Sequence, residues 1–133
     1  MPRSDPQGAM AALVDAVNRG DFDSALGAFA DDAVIVEDLA PYRWIGRSAP
    51  SQWLAAMGEN AGKLGISSVV MDAGQPSRTE IEGGRAYVIV PGLLRYVTSD
   101  GERRASGTIT FTMESSSGRW LIDSLVWSGP RAA

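Results

Sequence analysis

The chain has 133 residues, 44% of them hydrophobic and 21% charged, with a net charge of −4 and neither cysteine nor histidine. That length suits one domain burying about two thirds of its unfolded surface. No apolar run approaches the ~20 residues of a membrane helix, so neither a spanning segment nor a membrane partner is expected. The acidic balance disfavours sequence-independent nucleic-acid binding, which needs clustered cations; Arg103-Arg104 is a cluster of only two. Without imidazole or thiolate, Ser-His-Asp and Cys-His catalysis, zinc hydrolysis and thiolate metal sites are excluded, and acid–base work falls to carboxylates, tyrosines or water. No cofactor and no metal site is expected. The N-terminus lacks a basic region followed by an apolar core, so the cytoplasm is the expected compartment.

In chain order, residues 1–7 are polar and proline-bearing and are expected to be a flexible lead-in to a single domain over 8–130. Met10, Leu13, Val14 and Val17 then share one face of a first helix, with Asp15, Asn18 and Arg19 opposite. Gly20 stops that helix in the left-handed conformation open to glycine, and Asp21 caps the next. Phe22, Ala25, Leu26 and Phe29 follow at helical spacing, which predicts a second helix with one buried face that Asp31-Asp32 ends. Val34, Ile35 and Val36 read as a strand that carries Glu37 and Asp38 at its far end. An irregular stretch or short edge strand over 41–46 leads to Ser48 and Pro50, which start a third helix with Trp53, Leu54, Met57, Ala61 and Leu64 on its apolar side.

From Ile66 on the pattern is strands and turns. A strand near 67–72 reaches the turn at Gly74-Gln75-Pro76, and Gly83-Gly84 joins a strand over 79–82 to one over 85–90 as a hairpin. Pro91-Gly92 interrupts a run that otherwise continues to Thr98, and predicts a bend there. Turns at Ser99-Asp100-Gly101 and over 115–118 separate the last strands. Ile109, Phe111 and Met113 alternate with Thr108, Thr110 and Thr112, giving one apolar and one polar face. Trp120, Ile122, Ser124 and Val126 alternate with Leu121, Asp123, Leu125 and Trp127, so the final strand reads as apolar on both sides. Either a second subunit covers one of those faces, with Trp127 a candidate contact, or the pocket is lined from it.

The words NRGDFD, AFADDAV and VED, with Arg47-Ser48, the Trp53 helix and GRWLIDSLVW, give the chain a resemblance to the nuclear transport factor 2-like superfamily. That superfamily includes SnoaL-like polyketide cyclases and ketosteroid isomerases. The resemblance implies an α+β, cystatin-like cone: three N-terminal helices packed on a strongly curved, mostly antiparallel sheet, a pocket at the open end, and a homodimer formed through the sheet.

Adjacent strand residues point to opposite faces, so only one of Glu37 and Asp38 can face the interior. Either both acids are solvated, or Asp38 faces the pocket, where desolvation raises its pKa and makes it a base for a carbon acid. By resemblance Asp38 occupies the place of the isomerase base aspartate. The isomerase oxyanion donors are missing, since Leu13 and Ile109 fall where that family has a tyrosine and a protonated aspartic acid; steroid isomerisation is therefore not expected. Tyr42, Tyr87 and Tyr96 are the available phenols. Asp123, within an apolar strand, needs either an arginine partner or a protonated, pocket-lining state. Trp44, Trp53, Trp120 and Trp127 read as core, with at least one a candidate pocket wall. Arg43 and Arg47 flank Trp44 as solvated cations or a carboxylate clamp. The expected site is thus Asp38 as catalytic carboxylate, with Trp44, Trp53, Met57, Tyr87, Phe111 and Asp123 around a small apolar or aromatic molecule. Any reaction there would be that of a cofactor-independent isomerase or lyase. The alternative is a non-catalytic dimeric module for ligand binding or protein interaction.

Overall fold

The structure, a computed structural model, describes residues 5–129. Helices α1 (Pro6–Arg19), α2 (Phe22–Leu26) and α3 (Ala49–Lys63) are interleaved with β1 (Phe29–Val36) and β2 (Arg43–Ile45). They are followed by β3 (Ser68–Ala73), β4 (Arg78–Glu82), β5 (Arg85–Thr98), β6 (Gly101–Ser116) and β7 (Arg119–Ser128). One sheet runs β2-β1-β7-β6-β5-β3, with β4 also on β5. Every ladder is antiparallel except β1–β7. The helices cover one face of this curved sheet, the α+β arrangement expected from the sequence. No helix among the described residues is long and apolar enough to cross a membrane.

Local chemistry sets the helix ends. The Asp5 carboxylate accepts from the Gly8 N–H at 2.6 Å and Pro6 occupies the first turn, so α1 starts inside the expected lead-in, of which residues 1–4 lie outside the described ones. Gly20, at φ 72°, closes α1 by donating its N–H to the carbonyls of Ala16 and Val17. Asp21 caps α2 through the N–H and hydroxyl of Ser24, bonds that hold its carboxyl below the ordinary range. The expected second helix is cut short. It ends at Leu26, Phe22 and Leu26 stay exposed, and Phe29 instead opens β1 opposite Ile122. The competing partner is β7: the Ile122 N–H donates to the Ala28 carbonyl at 2.9 Å, and the Phe29 ring meets Trp53 edge-on, centroids 6.2 Å apart. Asp31 and Asp32, read as helix breakers, are exposed residues of β1 where its register against β7 shifts.

Pro91 does not break β5, which runs through it. Its carbonyl accepts from Gly74 N–H, so its missing donor faces the edge where β4 hands over to β3, and no bond to β6 is lost. Alternation along β6 buries Ile109, Phe111 and Met113 as expected. Beneath α1 and α3 the core is centred on Phe111, Ile35, Met113, Ile122, Val88 and Val90, all fully buried; truncating Phe111 to alanine would cost about 3–5 kcal/mol.

The last strand differs from its alternating pattern. Thr112 faces Ser124 and Met113 faces Ile122, which makes Asp123 the extra residue of a β-bulge. The bulge shifts the parity, so Ile122, Leu125 and Trp127 all lie on the helix-covered face while Ser124 and Val126 lie on the other. Trp127, a candidate subunit contact on the alternating pattern, is thereby placed on the interior side.

Candidate functional site

Glu37 follows Ala33 and Ile35 on the helix-facing side of β1, just beyond the last β1–β7 pair, Val36 with Val126. Its backbone N–H donates to the Tyr42 carbonyl at 3.1 Å, which closes a loop containing a cis Ala40–Pro41 bond and Tyr42 at φ 72°. The Trp53 indole N–H donates to its carboxylate at 3.4 Å. Burial pushes the Glu37 carboxyl above its ordinary value, the indole bond draws it partly back, and the neighbouring Asp38 charge raises it again. Asp38 is exposed. The interior acid is therefore Glu37, one residue from the position expected, because β1 places Val34 and Val36 on the far face of the sheet. Nothing in AVIVED decides this: both faces of that strand are apolar, and parity is fixed only by which valine pairs with which neighbour.

The six expected ligand contacts do not form one group. Trp44 and Trp53 are buried on the helix side, Met57 is half-buried one turn beyond Trp53 on α3, and Phe111 is a fully enclosed core residue with no surface to offer a ligand. Tyr87 and Asp123 lie on the opposite face of the sheet. The Arg78 guanidinium sits 5.4 Å from the Tyr87 ring centroid. Asp123 accepts from the Thr112 hydroxyl and pairs with Arg85 at 2.7 Å, which is the ion-pair alternative rather than the pocket acid. Of the two arginines beside Trp44, Arg47 pairs with Asp31 at 3.2 Å and Arg43 is an exposed β2 residue.

Two clefts adjoin the helices. One of about 320 Å³ lies between α1 and β3, lined by Met10, Ala11, Val14, Met71, Asp72 and Gln75 among others; the second, about 140 Å³, lies between α3 and Leu39-Ala40. Neither includes Glu37 or a tryptophan. Among the described residues no cluster of acidic side chains could hold a metal ion.

Sequence comparison finds no matching family model and no matching curated protein. Solved structures do match. A proposed scytalone dehydratase from Novosphingobium aromaticivorans superposes with a TM-score of 0.77 at 12% identity, covering 93% of this chain and 80% of that one. A ketosteroid isomerase-like protein from Erwinia carotovora atroseptica gives 0.74 at 15% identity over 95% and 94%. An NTF2-like protein of unknown function from Pseudomonas putida gives 0.72 at 21% over 93% and 83%. At such identities the likeness speaks for architecture alone. Helix order, sheet order and these superpositions together assign the chain the cone-shaped fold of the nuclear transport factor 2-like superfamily.

Proposed function

We propose that the protein binds a small apolar or aromatic molecule on the helix-covered side of the sheet, and that Glu37, which neither cleft reaches, exchanges a proton with it at the end of β1. One observation carries the reading: a carboxyl whose pKa burial raises, held by an indole N–H, on the interior side of a strand end. Such a carboxylate is a stronger base than one in water, and its conjugate acid can return the proton at a neighbouring atom. This chemistry needs no metal and suits an enolisable ketone or a phenol. Steroid isomerisation is not part of the proposal, since Leu13 and Ile109 are buried apolar residues. The molecule works as a homodimer joined through the uncovered sheet face.

The test is hydrogen exchange at carbon. Incubated in D2O with a panel of enolisable ketones, the wild type should exchange the α-hydrogens faster than buffer does, and Glu37→Gln should lose about 10²-fold or more of that gain. Exchange that survives in Glu37→Gln removes Glu37 from the chemistry. If no member of the panel binds saturably in calorimetry, the interaction-module reading replaces this one.

A further inference from the structure

The larger cleft, about 320 Å³ between α1 and β3, does not include Glu37, and what it offers a ligand is independent of that residue. Met10, Ala11 and Val14 of α1 form one wall, and Met71 and Ala73 of β3 the other. Parity along β3 decides which polar groups the second wall presents. Met71 turns its N–H and carbonyl outward to Asn18, and the Gly74 N–H donates to the Pro91 carbonyl, so Val70, Asp72 and Gly74 are the residues bonded to β5. Ala73, in register with Gly92, therefore turns its N–H and carbonyl to the strand edge, as Met71 does. Neither group has a hydrogen-bond partner among the described residues. Ala73 is half-buried at the cleft wall, where backbone groups stay unpaired only if water or a ligand reaches them.

The molecule itself shows what fits such a pair. Two residues earlier along the strand, the Asn18 carboxamide donates to the Met71 carbonyl at 2.9 Å and accepts the Met71 N–H at 3.0 Å. Asn18 also blocks the edge there, so an added strand cannot run along Val69, Met71 and Ala73, and the Ala73 pair suits a small molecule rather than an extended peptide. The two carboxylates that line the cleft are both engaged, Asp15 by Arg19 at 2.9 Å and Asp72 by Arg95 at 2.6 Å, which favours a neutral occupant. An ionised carboxylic acid would in addition set an oxygen against the Ala73 carbonyl. A carboxamide carries the donor and acceptor side by side.

We propose that this cleft is a second binding site, for a small neutral molecule bearing a primary carboxamide or a lactam on an apolar body. The amide pairs with the Ala73 backbone as Asn18 pairs with Met71, and the body lies between Met10, Val14 and Met71.

The experiment titrates the wild type with benzamide and with methyl benzoate, two probes of similar shape of which only the amide can donate to the Ala73 carbonyl, and follows the backbone amide resonances. Benzamide should bind saturably and about fivefold more tightly than the ester, the contribution of one net hydrogen bond. At saturation, exchange of the Ala73 N–H with D2O should slow several-fold, while that of Val69, on the same edge but outside the cleft, stays unchanged. Ala11→Phe, at an exposed position of α1, fills the cleft and should abolish benzamide binding. Absence of saturable binding, equal affinity for amide and ester, slowing at Val69 rather than Ala73, or binding that survives Ala11→Phe overturns this inference. None of these outcomes touches the Glu37 reading, which stands or falls on exchange at carbon.

Discussion

At the scale of single residues, burial and charge conflict most directly at Glu37. An unfolded glutamate titrates near 4.5, and burial raises the folded value above that. Between the two pH values the folded chain holds a proton that the unfolded chain has released, so this group's contribution is full below the lower value and declines as pH rises through the upper one. Glu37→Gln abolishes the titration. The difference in urea unfolding free energy between wild type and Glu37→Gln should therefore move in the variant's favour as pH is raised from about 4 to about 8. A difference that moves in favour of wild type would mean that the folded state stabilises the charged carboxylate. The same residue shows where sequence reading stops. VED announces an acid at a strand end, but the choice between Glu37 and Asp38 rests on a pairing with β7 some ninety positions later.

Elements were legible where their signals are local. Gly20 and Asp21 fix the α1–α2 junction through their own dihedrals and hydrogen bonds, and the threonine alternation of β6 needs no partner to be read. The bulge at Asp123 was not legible, because an extra residue is defined only against the strand it faces, and it reversed the faces of Leu125, Val126 and Trp127. The sequence places edge strand β3 near 67–72, before the turn at Gly74-Gln75-Pro76, but not the means by which it is held. Asn18, read simply as the polar side of the first helix, donates its amide to the Met71 carbonyl at 2.9 Å and accepts the Met71 N–H at 3.0 Å. These bonds occupy part of an edge otherwise free to pair with another chain, and they tie α1 to the sheet. Asn18→Ala should cost about 1–2 kcal/mol, the sum of two ordinary net hydrogen bonds, and should speed amide exchange at Met71 before any global loss of structure. An unchanged exchange rate at Met71 would show that water replaces the side chain at no cost.

At the scale of the whole molecule, the helical layer covers one face of a seven-stranded sheet, and the composition of the other face argues for a second copy. Val34 and Val36 of β1, Leu121 and Val126 of β7, and Ile89 and Leu93 of β5 are half-buried beside Thr108, Thr110 and Thr112. This patch of aliphatic and threonine side chains is short of the Lys and Glu that keep exposed sheets apart, with the charged Arg85, Glu114 and Asp123 at one end of it. A two-fold arrangement repeats every contact, so one charge placed centrally acts twice. Val126 lies between Val36 and Thr110 in the ladders and is the position to alter. In light scattering at micromolar concentration the wild type should have the mass of a dimer. Val126→Glu should shift it to monomer with the fold intact, whereas Trp127→Glu, on the interior side, should instead destabilise the chain by burying a carboxylate against Gly92 and Gly107. A monomeric wild type would remove the dimer. If Trp127→Glu dissociated the pair and Val126→Glu did not, the assignment of faces produced by the Asp123 bulge would have to be reversed.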